Sequence, residues 1–455
     1  MFIKSNFQKE EQFYRTLINI GLPIAFQYFL TNTTVFLNLM MVGKLGETSI
    51  AAVGLANQVY FLLDLILFGT CSGATVLSAQ YWGVHDVHGI RKVLVTCLVL
   101  CFTATFSFGF MAVMFPNAVL QLYTQDAVVV GLGVDFLEIM GWSYLALAIN
   151  FSFGFCLRSI ETAKLPMLVN GFALGLDLLL NYTLIFGHFG FPALGVKGAA
   201  IGTCIAKWVE CVVLLFFVYR LDTPIKINLT DILSLNRIFI TKYLHISLPV
   251  ILNEVAWALG MTSYRFVYAR ISTEAIAAIN ICTTIEEVAF VPLFGIAFGG
   301  AVMLGNRIGA GEKATALQYA RRLLVIGFCI ALLIGALVFF STRPLLSLYN
   351  LNTDTSHYLA LILNIFGMAL WLRVSNLILL VSILRGGGDT RYGLFVELGT
   401  VWLVGVPLAF IGAFAWHLTV EQVYLLVLVE EVVKLGFAFT RFLSGKWVHD
   451  LVRQE

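Results

Sequence analysis

Twelve apolar runs of twenty residues or more divide the chain, at approximately 15–41, 50–80, 92–115, 130–157, 165–188, 195–219, 238–268, 275–305, 320–341, 358–384, 392–416 and 421–444. About 20 apolar residues in a helix cross a hydrocarbon core of about 30 Å. No water is available there, so each run must bond its own backbone, which a helix does. The chain is 60% hydrophobic and 12% charged, with a mean hydropathy of +0.91. Soluble domains are about half apolar and a quarter charged, so this chain has too little polar surface to cover a water-soluble globule. Short Gly and Pro punctuation separates the runs, at Gly43–Gly46, Pro116–Asn117, Gly187–Pro192, Gly309–Gly311 and Gly386–Gly388. The one longer polar connection, Asp222 to Asn236, falls at the middle of the chain. Lys4, Lys9 and Arg15 precede the first run and no small-residue cleavage site follows it, so it reads as a retained helix and not a signal peptide.

The basic residues orient these helices, because loops rich in Lys and Arg stay cytoplasmic. With the N-terminus inside, the inner segments hold 20 of the 28 Lys and Arg, among them Arg91, Lys92, Arg158, Lys164, Lys313, Arg385 and Arg391. The outer loops hold only Lys44, Lys197, Arg270 and Arg343, and Lys207, Arg265, Arg373 and Lys434 lie within spans. One missed helix would invert everything after it, so the asymmetry supports the span count as well. Both termini are expected in the cytoplasm.

The halves repeat. Shifted by 226 residues, Leu22-Pro23 lands on Leu248-Pro249, Ile50-Ala51-Ala52 on Ile276-Ala277-Ala278, Gly83 on Gly309 and Leu122-Tyr123 on Leu348-Tyr349; one residue further on, Leu157-Arg158 meets Leu384-Arg385. Each repeat has an even number of spans, so both halves share one topology. Parallel repeats of this kind are related by an axis along the membrane normal, and in transporters the substrate path runs between them. The sequence divides into an N-lobe of helices 1–6 (residues 1–221), a cytoplasmic linker (222–236) and a C-lobe of helices 7–12 (237–455).

Eight cysteines are scattered through the chain without a CxxC or Cys/His cluster, so neither a disulfide framework nor a zinc site is indicated. HExxH, GxSxG and Walker sequences are absent, which argues against an enzyme and against ATP hydrolysis by this chain. The net charge of +2 carries no nucleic-acid signal.

Three segments carry a family resemblance: Ser72-Gly-Ala-Thr-Val-Leu-Ser-Ala-Gln-Tyr-Trp-Gly83, its partner Gly299-Gly-Ala-Val-Met-Leu-Gly-Asn-Arg-Ile-Gly-Ala-Gly-Glu312, and Leu384-Arg-Gly-Gly-Gly-Asp-Thr-Arg391. In order and spacing they resemble the multidrug and toxic compound extrusion (MATE) transporters over nearly the whole chain. The resemblance implies a V-shaped pair of pseudo-symmetric six-helix bundles that exports organic cations or other amphiphiles in exchange for H⁺ or Na⁺. Two positions depart from the family pattern. Asn38 stands before Leu39-Met-Met-Val-Gly43 where members often have Asp, and in helix 5 Asp177 precedes Asn181 where the order Asn then Asp is common. Four residues is one helical turn, so the carboxylate stays on the same face, displaced by about 6 Å. Glu254 approximately fits the acid the family places in helix 7.

A charge at the bilayer centre costs about 2.5–3.5 kcal/mol on insertion scales, so each needs a reason to be there. Glu254, five residues after Pro249, is either a coupling carboxylate that loads and releases H⁺ or Na⁺, or a structural acid locked to Arg373 or Arg265. Asp177 and Asn181 share a face of helix 5, and Asp177 is the second candidate for Na⁺. Asp64 in helix 2 is either a site residue or a bond between neighbouring helices. Glu286 and Glu287 point about 100° apart, so at most one faces Glu254, and Glu286 is the better candidate. Arg373 would neutralise Glu254 or Glu286. Glu397 is expected to pair with Arg391, while Glu210, Glu430, Glu431 and Lys434 read as snorkelling or mutually paired. Arg158 and Arg385 open equivalent inner loops and read as helix-end anchors toward anionic headgroups.

The expectation is therefore a monomeric secondary transporter in a bacterial cytoplasmic membrane. It has no cofactor beyond its coupling ion and no nucleic-acid partner, and it meets a small-molecule substrate and membrane lipid. A lipid-linked oligosaccharide flippase is the alternative, though the mainly acidic midplane charges suit organic cations better than polyanions. An intramembrane enzyme or a channel fits less well.

Overall fold

The computed structural model describes residues 2–221 and 223–453, with side chains from Glu10 onward except at 229. Lys4 and Lys9 lie outside the described side chains, and Asp222, the first linker residue, lies outside the described residues. The described residues contain no strand. Twelve long helices run in order: α1 (Phe2–Gly43), α2 (Glu47–Gly83), α3 (Val87–Met114), α4 (Ala127–Ser159), α5 (Lys164–Phe186), α6 (Val196–Arg220), α7 (Arg237–Ile271), α8 (Thr273–Gly309), α9 (Lys313–Leu346), α10 (Thr353–Arg385), α11 (Thr390–Ala415) and α12 (Val420–Leu443).

Among the described residues, α1 to α11 are long and apolar enough to cross a membrane. Helix α12 is as long as its neighbours but carries Glu430, Glu431 and Lys434 across its centre. Those charges are paired inside the protein, as described below, which is what lets a helix this polar cross.

The helix ends are written locally. Asp86, Asp126, Ser272 and Asn352 each accept a hydrogen bond from a backbone N–H in the first turn of α3, α4, α8 and α10. Gly187 closes α5 in the left-handed conformation. Within the expected linker, Leu229–Leu233 forms a short helix, and the linker is tied to α3: His88 meets Asp231 at 3.3 Å and Arg91 Nε donates to the Pro224 carbonyl at 3.0 Å.

The repeat seen in sequence recurs in the helix boundaries. Glu47–Gly83 and Thr273–Gly309 are both 37 residues long, and Ala127–Ser159 and Thr353–Arg385 are both 33. The starts of α3 and α9, and of α5 and α11, keep the same spacing. Tight helix contacts repeat too. A Cβ at Gly109 in α3 would lie 3.0 Å from the Gly141 carbonyl oxygen in α4, and one at Gly367 in α10 would lie 2.7 Å from that of Gly335 in α9. Only glycine lets these backbones approach so closely, a usual device where lipid cannot drive helices together.

Two compact units result: Phe26–Ile251, and Met1–Ala25 together with Leu252–Glu455. Their boundaries fall inside α1 and α7, two residues beyond Pro23 and Pro249, and not in the polar linker. In the first unit the beginning of α7 seats on α2, where a Cβ at Gly69 would lie 2.6 Å from Ile251 Cα and one at Gly73 2.8 Å from Ser247 Cα. Tyr243 Oη donates to the Thr70 carbonyl beside them at 2.7 Å. In the second unit the beginning of α1 seats on α8 in the same register, with a Cβ at Gly295 2.5 Å from the Gly21 carbonyl oxygen and one at Gly299 3.2 Å from Gly21 Cα.

Candidate functional site

In the Phe26–Ile251 unit, three of the candidate residues come together. Helix α1 brings Asn38 and helix α5 brings Asp177 and Asn181, one turn apart. Asn38 Nδ2 donates to Asp177 Oδ2 at 2.7 Å, and Asn181 Nδ2 reaches Asn38 Oδ1 at 3.0 Å and Asp177 Oδ1 at 3.2 Å. Thr203 of α6 closes the group, its Oγ1 lying 3.3 Å from the same Asn181 nitrogen. Asp177 is 5% exposed and Asn181 1%. Proton counting makes this cluster unusual. A carboxamide nitrogen carries two hydrogens, and here it faces three oxygens, while the buried Oδ1 of Asn181 has no donor at all. The site is rich in hard oxygen atoms and these hydrogen bonds come from neutral amides, with Lys207 in electrostatic reach, an arrangement that suits one added proton or one small hard cation.

A second set of charges lies in the same unit. Lys207 Nζ of α6 sits 3.2 Å from Glu210, which also accepts from Asn170 Nδ2 at 2.8 Å, and Asn150 Nδ2 donates to the Lys207 carbonyl at 3.2 Å. Lys207 is within electrostatic reach of both Asp177 and Asp64. Asp64 itself makes no hydrogen bond or ion pair among the described residues. Glu210 and Lys207 thus pair with each other inside the protein, a partner that sequence reading did not offer Glu210.

The other unit sets an arginine or a lysine directly against several of its acids. Glu254 Oε1 of α7 accepts from Arg385 Nη2 of α10 at 2.7 Å. This corrects two expectations. Neither Arg373 nor Arg265 holds Glu254, and Arg385, 9% exposed, is buried in an ion pair and is not turned to lipid headgroups. Arg385 ends a stretch of α10, Ile378–Arg385, that is wound as π-helix, which widens the helix and re-aims the residues at its end.

Arg373 takes the second of its two expected partners. Its Nη1 lies 2.9 Å from Glu286 Oε1, which also accepts from Tyr424 Oη at 2.6 Å. Arg265 is instead within electrostatic reach of Glu287. Glu397 pairs with Lys434 at 3.0 Å and not with Arg391, because α11 turns it inward to α12. Lys434 also meets Glu430 at 2.7 Å and Glu431 at 3.8 Å, Tyr264 Oη donates to Glu430, and Asn376 Nδ2 donates to Glu431 at 2.6 Å. Arg158, in the first unit, donates to Gln27 Oε1 at 2.6 Å and lies over the Phe155 ring, so it too is held by protein.

Sequence reading missed Thr203, Tyr424 and Asn376, and gave Lys207 no role. A lysine in the middle of an apolar run was the available signal for Lys207. The neutral residues carry none, since a Thr, Tyr or Asn in a span is ordinary until its neighbours are known.

Comparison with known proteins gives the architecture its context. A sequence model of the MatE family matches residues 23–183 and 249–411, two segments in the register of the internal repeat. A probable multidrug resistance protein NorM of Thermotoga maritima is 22% identical over 451 residues, covering 98% of this chain and 96% of the relative. NorM of Photorhabdus laumondii is 27% identical over 413 residues, with 88% and 87% covered, and the uncharacterized transporter YisQ of Bacillus subtilis is 24% identical with 90% of each covered. Among solved structures, MATE in complex with MaL6 matches with a TM-score of 0.86 at 19% identity over 95% of each chain. A MOP superfamily transporter from Pyrococcus furiosus matches with 0.84 at 20%, over 95% of this chain and 94% of that one. With a family match over most of the sequence, twelve long helices of which eleven are apolar enough to cross a membrane, and two matched segments in the register of the internal repeat, the chain belongs to the MatE family of multidrug and toxic compound extrusion transporters.

Proposed function

We propose that this protein exports small organic cations or other amphiphilic compounds by antiport with H⁺ or Na⁺, and that the coupling cation binds at Asp177 with Asn38, Asn181 and Thr203. The observation that carries this reading is the contrast between the acids: Glu254 and Glu286 each hold an arginine, whereas Asp177 is bonded only by neutral amides. An acid already neutralised by a fixed guanidinium has little call for a second cation. An acid held by amides changes charge when a proton or Na⁺ arrives, and a membrane potential acts on that charge with about 2.3 kcal/mol per 100 mV. Sequence reading placed the principal coupling role at Glu254 and the secondary one at Asp177. The Arg385 partner favours the reverse order, with Glu254–Arg385 as a lock that the transport cycle keeps or opens. Asp64, unpartnered beside Lys207, is the proposed way station for the same cation.

The bacterial relatives named as multidrug resistance proteins support a drug-like substrate and a place in a bacterial cytoplasmic membrane, and they do not favour the flippase alternative. We extend the reading to a monomer with both termini inside. The test is dye export from proteoliposomes under separately imposed pH and Na⁺ gradients. Asp177→Asn should abolish gradient-driven export while the protein still purifies as a folded species, and Glu254→Gln should slow export without removing its dependence on the gradient. Wild-type export by Asp177→Asn under both gradients would remove Asp177 from the coupling role.

A further inference from the structure

Three thiols meet in the core of the Phe26–Ile251 unit. Cys71 of α2 lies 3.6 Å from Cys97 and 3.7 Å from Cys101 of α3, and Cys97 and Cys101 are 3.9 Å apart, sulfur to sulfur. All three are fully buried. The spacing of four residues puts Cys97 and Cys101 on one face of α3, and Cys71 arrives from a helix 26 residues earlier. Cysteine motifs read along the sequence therefore give no sign of the group.

From this geometry we propose a binding site for one soft divalent cation of the zinc, cadmium or mercury class. Packed thiols touch in pairs, whereas here all three sides of a triangle close at once. A triangle with these sides has its centre about 2.2 Å from every sulfur, so an ion held by zinc–thiolate bonds of about 2.3 Å sits just off the plane without moving a side chain. Polar groups border the triangle: Cys97 Sγ lies 3.5 Å from Ser152 Oγ of α4 and also meets the Tyr243 hydroxyl.

Charge selects the ion. Binding follows M²⁺ + 3 Cys–SH → [M(Cys–S)₃]⁻ + 3 H⁺, with three S–H bonds broken, three M–S bonds formed and the protons released to water. A single negative charge buried among apolar helices needs compensation. Arg158 contributes to it: its guanidinium is within electrostatic reach of Cys71 as well as of Glu210, and its hydrogen bond goes to the neutral amide of Gln27. A monovalent ion would leave the site at twice that charge, so a divalent ion fits better. The oxygen-lined cluster around Asp177 is the chemical opposite, and the two sites sort hard cations from soft ones.

The full-length protein, synthesised with Cd²⁺ in the medium and purified in detergent under reducing conditions, provides the test. We expect about one Cd²⁺ per chain after a chelator wash, with a thiolate-to-cadmium charge-transfer band in the ultraviolet. Cys71→Ser and Cys97→Ser should each lose both signals, while Cys204→Ser and Cys329→Ser, outside the triad, should keep them. Arg158→Gln should weaken binding by about 10- to 100-fold, as loss of a group supporting metal ligands does. Folded wild-type protein with no bound cadmium and no band would overturn the proposal. So would equal cadmium in wild type and Cys97→Ser, or a disulfide within the triad by mass spectrometry.

Discussion

A charged side chain inside this protein is defined by what sits across from it. Glu254 and Arg385 are both largely buried, with side chains 16% and 10% exposed, so removing either leaves the other without its counter-charge. Breaking a buried pair in this way costs about 3–5 kcal/mol, and removing both often costs less. Glu254→Gln should therefore lower the unfolding temperature more than the Glu254→Gln, Arg385→Gln pair does. If the double variant unfolds at or below the temperature of the worse single, the two residues are not a coupled pair.

Asp389, in the loop between α10 and α11, offers a pH-dependent case outside the membrane. Burial pushes its carboxyl up, but hydrogen bonds from His449 and Arg441 outweigh this and hold it below the usual carboxylate range. A carboxyl depressed on folding adds stability above its unfolded pKa, about 3.9, and loses it as pH falls through the folded value. The stability difference between wild type and Asp389→Asn should be full at pH 6 and shrink below about pH 4. A difference that stays constant from pH 6 to pH 3 would refute the linkage.

These pairings mark the limit of what sequence reading resolves. Asn38, Asp177 and Asn181 stood out because polar groups in apolar runs are conspicuous, and one helical turn places two of them together. Their partners across helices were not legible. Glu397 lies six residues from Arg391 but 37 from Lys434, and which of these it meets depends on how α11 faces α12.

Helices are the scale at which the sequence was most readable. All twelve lie where apolar runs put them, and errors occur where a run's composition and its backbone part company. Helix α9 was expected at 320–341 and extends over Lys313–Leu346 because Arg321 and Arg322 interrupt the hydropathy but not the hydrogen bonding. The π-helical stretches at Ile378–Arg385, Val401–Gly405 and Ile411–Ala415 left no mark in apolar periodicity.

How two helices touch makes a prediction of its own. A methyl group on Gly335 would overlap the Gly367 carbonyl oxygen of α10, so Gly335→Ala should force α9 and α10 apart and cost about 1–3 kcal/mol. At Gly54 of α2 a Cβ meets nothing within 4 Å, so Gly54→Ala should be neutral or stabilising through helix propensity. Thermal unfolding in detergent should rank the two in that order, and equal stabilities would contradict the close contact.

For the whole molecule, the distribution of Lys and Arg sets the topology prediction. A cysteine introduced in place of Arg91 or Lys313, in a background without other reactive thiols, should react only with reagents that enter the cytoplasm. Labelling of intact cells by an impermeant maleimide at either site would reverse the orientation. Sequence reading divided the chain at its central polar linker, but polarity says where a chain is wet and not where its packing divides. The compact units part company within α1 and α7, where glycines at 69 and 73 receive Ser247 and Ile251 of α7 and glycines at 295 and 299 receive Gly21 of α1.

That exchange has a consequence for the order in which the protein can be made. Helices α2 to α6 leave the ribosome with two glycine seats on α2 empty, and what fills them, Ser247 and Ile251, is translated only after the linker. The opening stretch of α1 is made first of all and must wait until Gly295 and Gly299 emerge before it meets its own place. Neither repeat can complete a compact unit from its own residues. A chain stopped after residue 221 should therefore remain bound to chaperones or be degraded, and supplying residues 237–455 as a separate polypeptide should rescue it.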